Sequence, residues 1–170
     1  THIDRSSATT WLITAPHGQR TFMVIDNNGW LKGVVNDLPQ VWMLIHQADG
    51  LLTRLIDSRA KEWHFSYDAL GRLEHEEDPD GGSVDLTRND SATSVTITRT
   101  TAEGVSQVYT TQQTGDGGQL MTNSMACCGG ASQTRFYADG SQVVQQADGT
   151  IITTMQGGDP RFGMETPYTS

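Results

Sequence analysis

Several things are scarce in this 170-residue sequence, and each scarcity excludes something. There are two cysteines, Cys127 and Cys128, and they are adjacent, so no disulfide framework staples the fold. No apolar run approaches the 18 or so residues that a membrane-spanning helix requires. Cations are few: 11 Lys and Arg face 20 Asp and Glu, for a net charge of −9. That balance argues against a nucleic-acid partner, whose phosphates need Lys and Arg. Apolar residues make up only 35%, low for a compact globule and suited to a sheet with one wet face. No stretch reads as a helix. No nucleophile elbow, HExxH helix or phosphate-cradling glycine loop is present, so no catalytic residue is assigned and the chain is read as a non-enzyme, with an enzyme of unrecognised type as the third reading.

What is abundant is periodic. Gly29, Gly50 and Gly71 stand 21 residues apart, twice. Leu31, Leu52 and Leu73 follow each glycine in register, and Asn36, Asp57 and Asp78 come later in each unit. Thr21-Phe22, Trp42-Met43 and Trp63-His64 precede them. Apolar and turn residues repeating in phase mark a repeat architecture. Each unit reads as strand, turn at the glycine, strand, and a second turn at Asn or Asp. A lone hairpin cannot bury its apolar face, whereas hairpins joined into one sheet can. Further on, Val95-Thr96-Ile97-Thr98 alternates as a half-buried strand. Asp139-Gly140 and Asp148-Gly149 predict a tight meander over residues 135–156.

The most regular copy is Trp63-His64-Phe65-Ser66-Tyr67-Asp68-Ala69-Leu70-Gly71-Arg72-Leu73, closed by Asp78-Pro79-Asp80-Gly81. It resembles the YD repeat of the RHS and teneurin family, and the residues 25–31 and 47–52 resemble degenerate copies. Gly158-Asp159-Pro160-Arg161-Phe162-Gly163-Met164 is similar to a segment of bacterial RHS-type chains. The resemblance is clearest over residues 21–82. It implies an all-β fold of antiparallel hairpin repeats forming a curved sheet or partial β shell, as a single domain over 1–170. In that family such shells enclose a toxic C-terminal region or form part of cell-surface adhesion receptors. The implied function is a structural segment of a secreted or cell-surface, bacterial shell protein that encloses or presents another domain. Its partners would be the remainder of a parent chain or the enclosed domain. The missing initiator Met at Thr1 and the many repeats of family shells lead us to expect a piece of a longer chain. Open terminal strands would invite edge-to-edge self-association.

Four site readings follow from residue chemistry. Trp30, Trp42, Trp63 and Tyr67 could form the stacking platform of a glycan- or protein-binding β module, the alternative function, or could line the wall of the sheet. Pairing Tyr67 with Arg72 would set His64 opposite His75, and two facing imidazoles can hold a divalent metal. Asp78, Asp80 and Asp85 place three carboxylates in one loop, chemistry that suits calcium, although the run lacks the length and closing Glu of an EF-hand. Cys127 and Cys128 are too close for an ordinary mutual disulfide, which leaves free thiols, a shared metal, or an intermolecular bridge.

Overall fold

A computed structural model describes all residues except 6, 126–128, 162 and 170, with the backbone alone for residues 164–169. Every strand pair is antiparallel, and no helix occurs among the described residues. The all-β hairpin-repeat class is therefore what the chain adopts. Its contacts divide it into two compact units, Thr1–Val84 and Asp85–Ser170.

The first unit is a meander of β1 (His2–Asp4), β2 (Thr10–Thr14), β3 (Arg20–Ile25), β4 (Leu31–Asn36), β5 (Val41–His46), β6 (Leu52–Ile56), β7 (Glu62–Tyr67) and β8 (Leu73–Glu77). Each strand pairs with the next in sequence. Strand β9 (Ser83–Asp90) spans the division between the units. The second unit holds β10 (Ser94–Thr101), β11 (Ser106–Gln113), β12 (Gln119–Met125), β13 (Ala131–Phe136), β14 (Gln142–Gln145) and β15 (Ile151–Thr154), again paired in order. The short hairpin of β16 (Gln156–Asp159) and β17 (Gly163–Thr169) follows. The meander expected over residues 135–156 is present as β13 to β15.

The turns explain the repeat. In the YD hairpin, Asp68 N–H donates to the Arg72 carbonyl at 2.9 Å and Gly71 N–H donates to the Asp68 carbonyl at 2.9 Å. This closes a tight turn whose last residue takes a positive φ, +76° at Gly71. The Asp68 carboxylate then accepts from the Leu70 and Arg72 backbone N–H groups at 2.8 and 3.0 Å, and from Arg72 Nε at 2.7 Å. Asp26, Asn36, Asp57 and Asp78 hold their turns by the same pair of backbone bonds. The in-phase Asn and Asp residues are thus turn clamps, which is why they repeat.

Register sorts the side chains of the first unit onto two faces. One cross-strand row runs Trp11, Met23, Val34 and Trp42, and another runs Leu44, Leu55 and Trp63 on the same face. The opposite face carries Phe22, Val35 and Val41, then Met43 and Ile56, then Ile45, Arg54, His64 and Glu77. Among the described residues only Ile25 and Ile56 are buried hydrophobics, each 8% exposed, and no side chain is fully buried. Burial here comes from neighbours within a sheet, not from a second layer.

Candidate functional site

The four candidate aromatic residues, Trp30, Trp42, Trp63 and Tyr67, lie in the first unit, and all are half-buried. Trp42, Trp63 and Tyr67 share a face by register, with Leu44 and Leu55 between the tryptophans. Tyr67 reaches back along that face, and its hydroxyl donates to the Leu52 carbonyl at 2.7 Å. Partial burial raises its pKa above the ordinary phenol value. Trp30 packs against the turn glycine Gly50 and lies 5.9 Å, centroid to centroid, from the His46 ring. These side chains join one repeat to the next, so their contacts are largely with the wall itself.

The histidine pair is not arranged as expected. Tyr67 pairs with Leu73, not Arg72, because the turn keeps Arg72 as its closing residue and a bulge follows at Ser66/Tyr67. His64 therefore lies opposite Glu77, and His75 lies opposite Ser66. The two histidines still share a face, but diagonally. His64 Nε2 stands 3.4 Å from Glu62 Oε2, and that same oxygen accepts from Arg54 Nη1 at 3.2 Å. Lys61, Glu62, His64, Glu77 and Asp78 line an open hollow of about 440 Å³. Among the described residues, no three His, Cys, Asp or Glu side chains converge as a metal-ligating set.

The acidic loop is similarly occupied. One Asp78 oxygen accepts from the backbone N–H groups of Asp80 and Gly82 at 2.8 and 2.9 Å. Asp80 pairs with Lys61 Nζ of the preceding turn. Asp85 is exposed on β9. The Cys127–Cys128 step lies outside the described residues.

The second unit contains a site the sequence did not single out. Tyr109 of β11, Met121 of β12 and Phe136 of β13 are 39%, 43% and 37% exposed. Tyr109 pairs with Asn123, Thr111 with Met121, Met121 with Thr134, and Gln119 with Phe136. Each successive apolar residue is thus one strand over and two residues along, so the three form a diagonal stripe on one face. With strands about 4.8 Å apart and about 3.4 Å per residue, its ends are separated by roughly 16 Å. A groove of about 360 Å³ follows the stripe, lined also by Thr111, Asn123, Ser132, Thr134 and Gln142. None of its lining residues is ionisable at neutral pH. Gln107 Nε2 donates to Asn123 Oδ1 at 2.8 Å, which orients the Asn123 amide. All three stripe residues could be read from the sequence. Their alignment could not, because it depends on the register of three strands.

The other face of this unit carries its charged lock. Arg135 donates to Asp116 at 2.8 Å, and Thr114 donates to the same carboxylate. These bonds, led by that of Thr114, hold the Asp116 carboxyl well below the usual carboxylate range.

Compared with known families, the chain matches the Teneurin YD-shell model over residues 1–167. No curated protein matches it.

Proposed function

The chain belongs to the teneurin YD-shell family, and on that premise we propose that it is a wall segment of a shell that encloses or presents another domain. The family is a structural one of extracellular and cell-surface proteins, which supports a structural, non-enzymatic role. Secretion or surface display by a bacterium, with a toxic region as the enclosed domain, is the specific form we favour, on the strength of the RHS-like motifs at 63–81 and 158–164.

One observation carries the shell reading. Among the described residues only two hydrophobic side chains are buried, which leaves much of the sheet's apolar surface on offer. On β5 the exposed residues Val41, Met43 and Ile45 form one row along the strand, while the half-buried Trp42 and Leu44 face the other way. Monomeric soluble proteins seldom leave such rows uncovered. A shell wall does so because its cover is the enclosed domain or the remainder of the parent chain. Unpaired sheet edges would add self-association in the absence of that cover.

The mass and dye binding of the purified chain test this. A wall without its cover binds ANS and associates, and Met43→Lys with Ile45→Lys reduces both. A monomer that excludes the dye and melts in one sharp transition would overturn the shell reading.

A further inference from the structure

We propose that the diagonal groove of the second unit, Tyr109–Met121–Phe136 with Asn123 and Gln142, binds an uncharged oligosaccharide chain. The proposal concerns one face of this unit and does not depend on what a shell encloses. Its first support is shape. The apolar stripe is linear, crosses three strands and spans roughly 16 Å, a length that matches a short glycan better than a single small molecule. Its second support is the ring chemistry at the two ends. Tyr109 and Phe136 carry aromatic rings whose faces bear negative partial charge, and the axial C–H groups of a pyranose carry the complementary positive charge. Met121, between them, is a pliable apolar contact that follows an irregular sugar edge.

The third support is the hydrogen-bonding inventory. Thr111, Ser132, Thr134 and Gln142 have no side-chain partner among the described residues, so their hydroxyls and amide are available to a ligand. Hydroxyls both donate and accept, which suits sugar hydroxyls that do the same. Asn123 has its oxygen committed to Gln107, so its NH₂ group is the part that can donate outward. The fourth support is charge. With no lining residue charged at neutral pH and a net charge of −9, the groove offers nothing to a sulfated or uronic-acid chain. An extended apolar peptide is the competing occupant. It would leave the row of hydroxyls and amides facing carbon, at a cost in unpaired polar groups.

The test uses the intact chain and isothermal titration with cellohexaose, maltohexaose and chitohexaose, beside a heparin hexasaccharide and a valine-rich extended peptide. We expect saturable binding of at least one neutral hexasaccharide. Tyr109→Ser and Phe136→Ser should each weaken it at least tenfold, and Gln133→Ala on the opposite face should leave it unchanged. Amide chemical shifts should move along β11 to β13 and not in β2 to β8. The stripe residues are exposed, so these variants are expected to fold, and their melting curves confirm it. Silence from all three neutral sugars at millimolar concentration overturns the proposal. So does binding confined to the heparin fragment or the peptide, or neutral-sugar binding that survives both serine variants.

Discussion

The indole of Trp30 fills the space that a Cβ on Gly50 would need: its Cε2 atom stands 2.8 Å from that position. Leu51 repeats the relationship on Gly71, where its Cδ1 lies at 3.4 Å. The residue after one turn glycine thus rests on the next turn glycine, and the period of 21 residues is the period of this contact. Gly50 carries two constraints, a φ of +95° and the indole, whereas Gly29 has φ +90° and open space. Gly29→Ala should cost about 1 kcal/mol for the left-handed backbone alone. Gly50→Ala should cost about 1–3 kcal/mol more through overpacking. Adding Trp30→Ala should recover that excess, which a double-mutant cycle by urea denaturation would show. Equal costs at the two glycines would mean that the indole contact carries no strain.

Ala60 occupies the position that glycine holds in the neighbouring turns, with φ +60°. Its turn is intact: Ala60 N–H donates to the Asp57 carbonyl at 3.0 Å, and Asp57 N–H to the Lys61 carbonyl at 2.9 Å. Ala60→Gly removes a Cβ from a conformation that disfavours it, against the extra freedom glycine gives the unfolded chain. The expected net result is a gain of up to about 1 kcal/mol and a higher melting temperature. A lower one would refute this.

Tyr67→Phe should cost about 1 kcal/mol, since it removes a half-buried hydrogen bond to the Leu52 carbonyl and little packing. In the wild-type chain, absorbance near 295 nm should show one tyrosine ionising above the usual value of about 10, and that component should vanish in the variant.

Acid should weaken the turns before the strands. The carboxyls of Asp57 and Asp68 are held below the ordinary value first by the backbone N–H groups of Lys61 and Arg72. Asp116 is lowered first by Thr114 and then by Arg135. A lowered folded-state pKa means that the unfolded chain binds protons first as pH falls. The stabilisation is therefore complete above the unfolded value of about 3.9 and is lost as pH drops below it through the folded values. Melting temperature should be flat from neutral pH to about 5 and fall below about 4, with a shallower fall in Asp116→Asn. A chain whose melting point stays level down to pH about 2 would show that these carboxylates do not stabilise it.

Metal binding at His64 and His75, or calcium at Asp78, Asp80 and Asp85, would raise the melting temperature on adding zinc or calcium. The diagonal placement of the histidines and the prior use of Asp78 by its own turn lead us to expect no change with either ion or with chelator. A metal-dependent rise that disappears in His64→Ala or Asp80→Asn would establish a site.

The sequence by itself determined the hairpin class, the period and the turn positions. Those depend on local chemistry: Asp68 clamps its own turn, Gly71 accepts its φ, and β-branched and aromatic residues fill the strands between. Tertiary structure decided everything that depends on register. Moving the partner of Tyr67 from Arg72 to Leu73, together with the extra residue taken up by the bulge at Ser66/Tyr67, set Glu77, not His75, opposite His64. The same dependence hid the Tyr109–Met121–Phe136 stripe, whose members are 12 and 15 residues apart in sequence and align only through two strand pairings. A side chain's face follows from a period of two within a strand, but its cross-strand neighbours follow from turn length and bulges, which a one-residue difference changes.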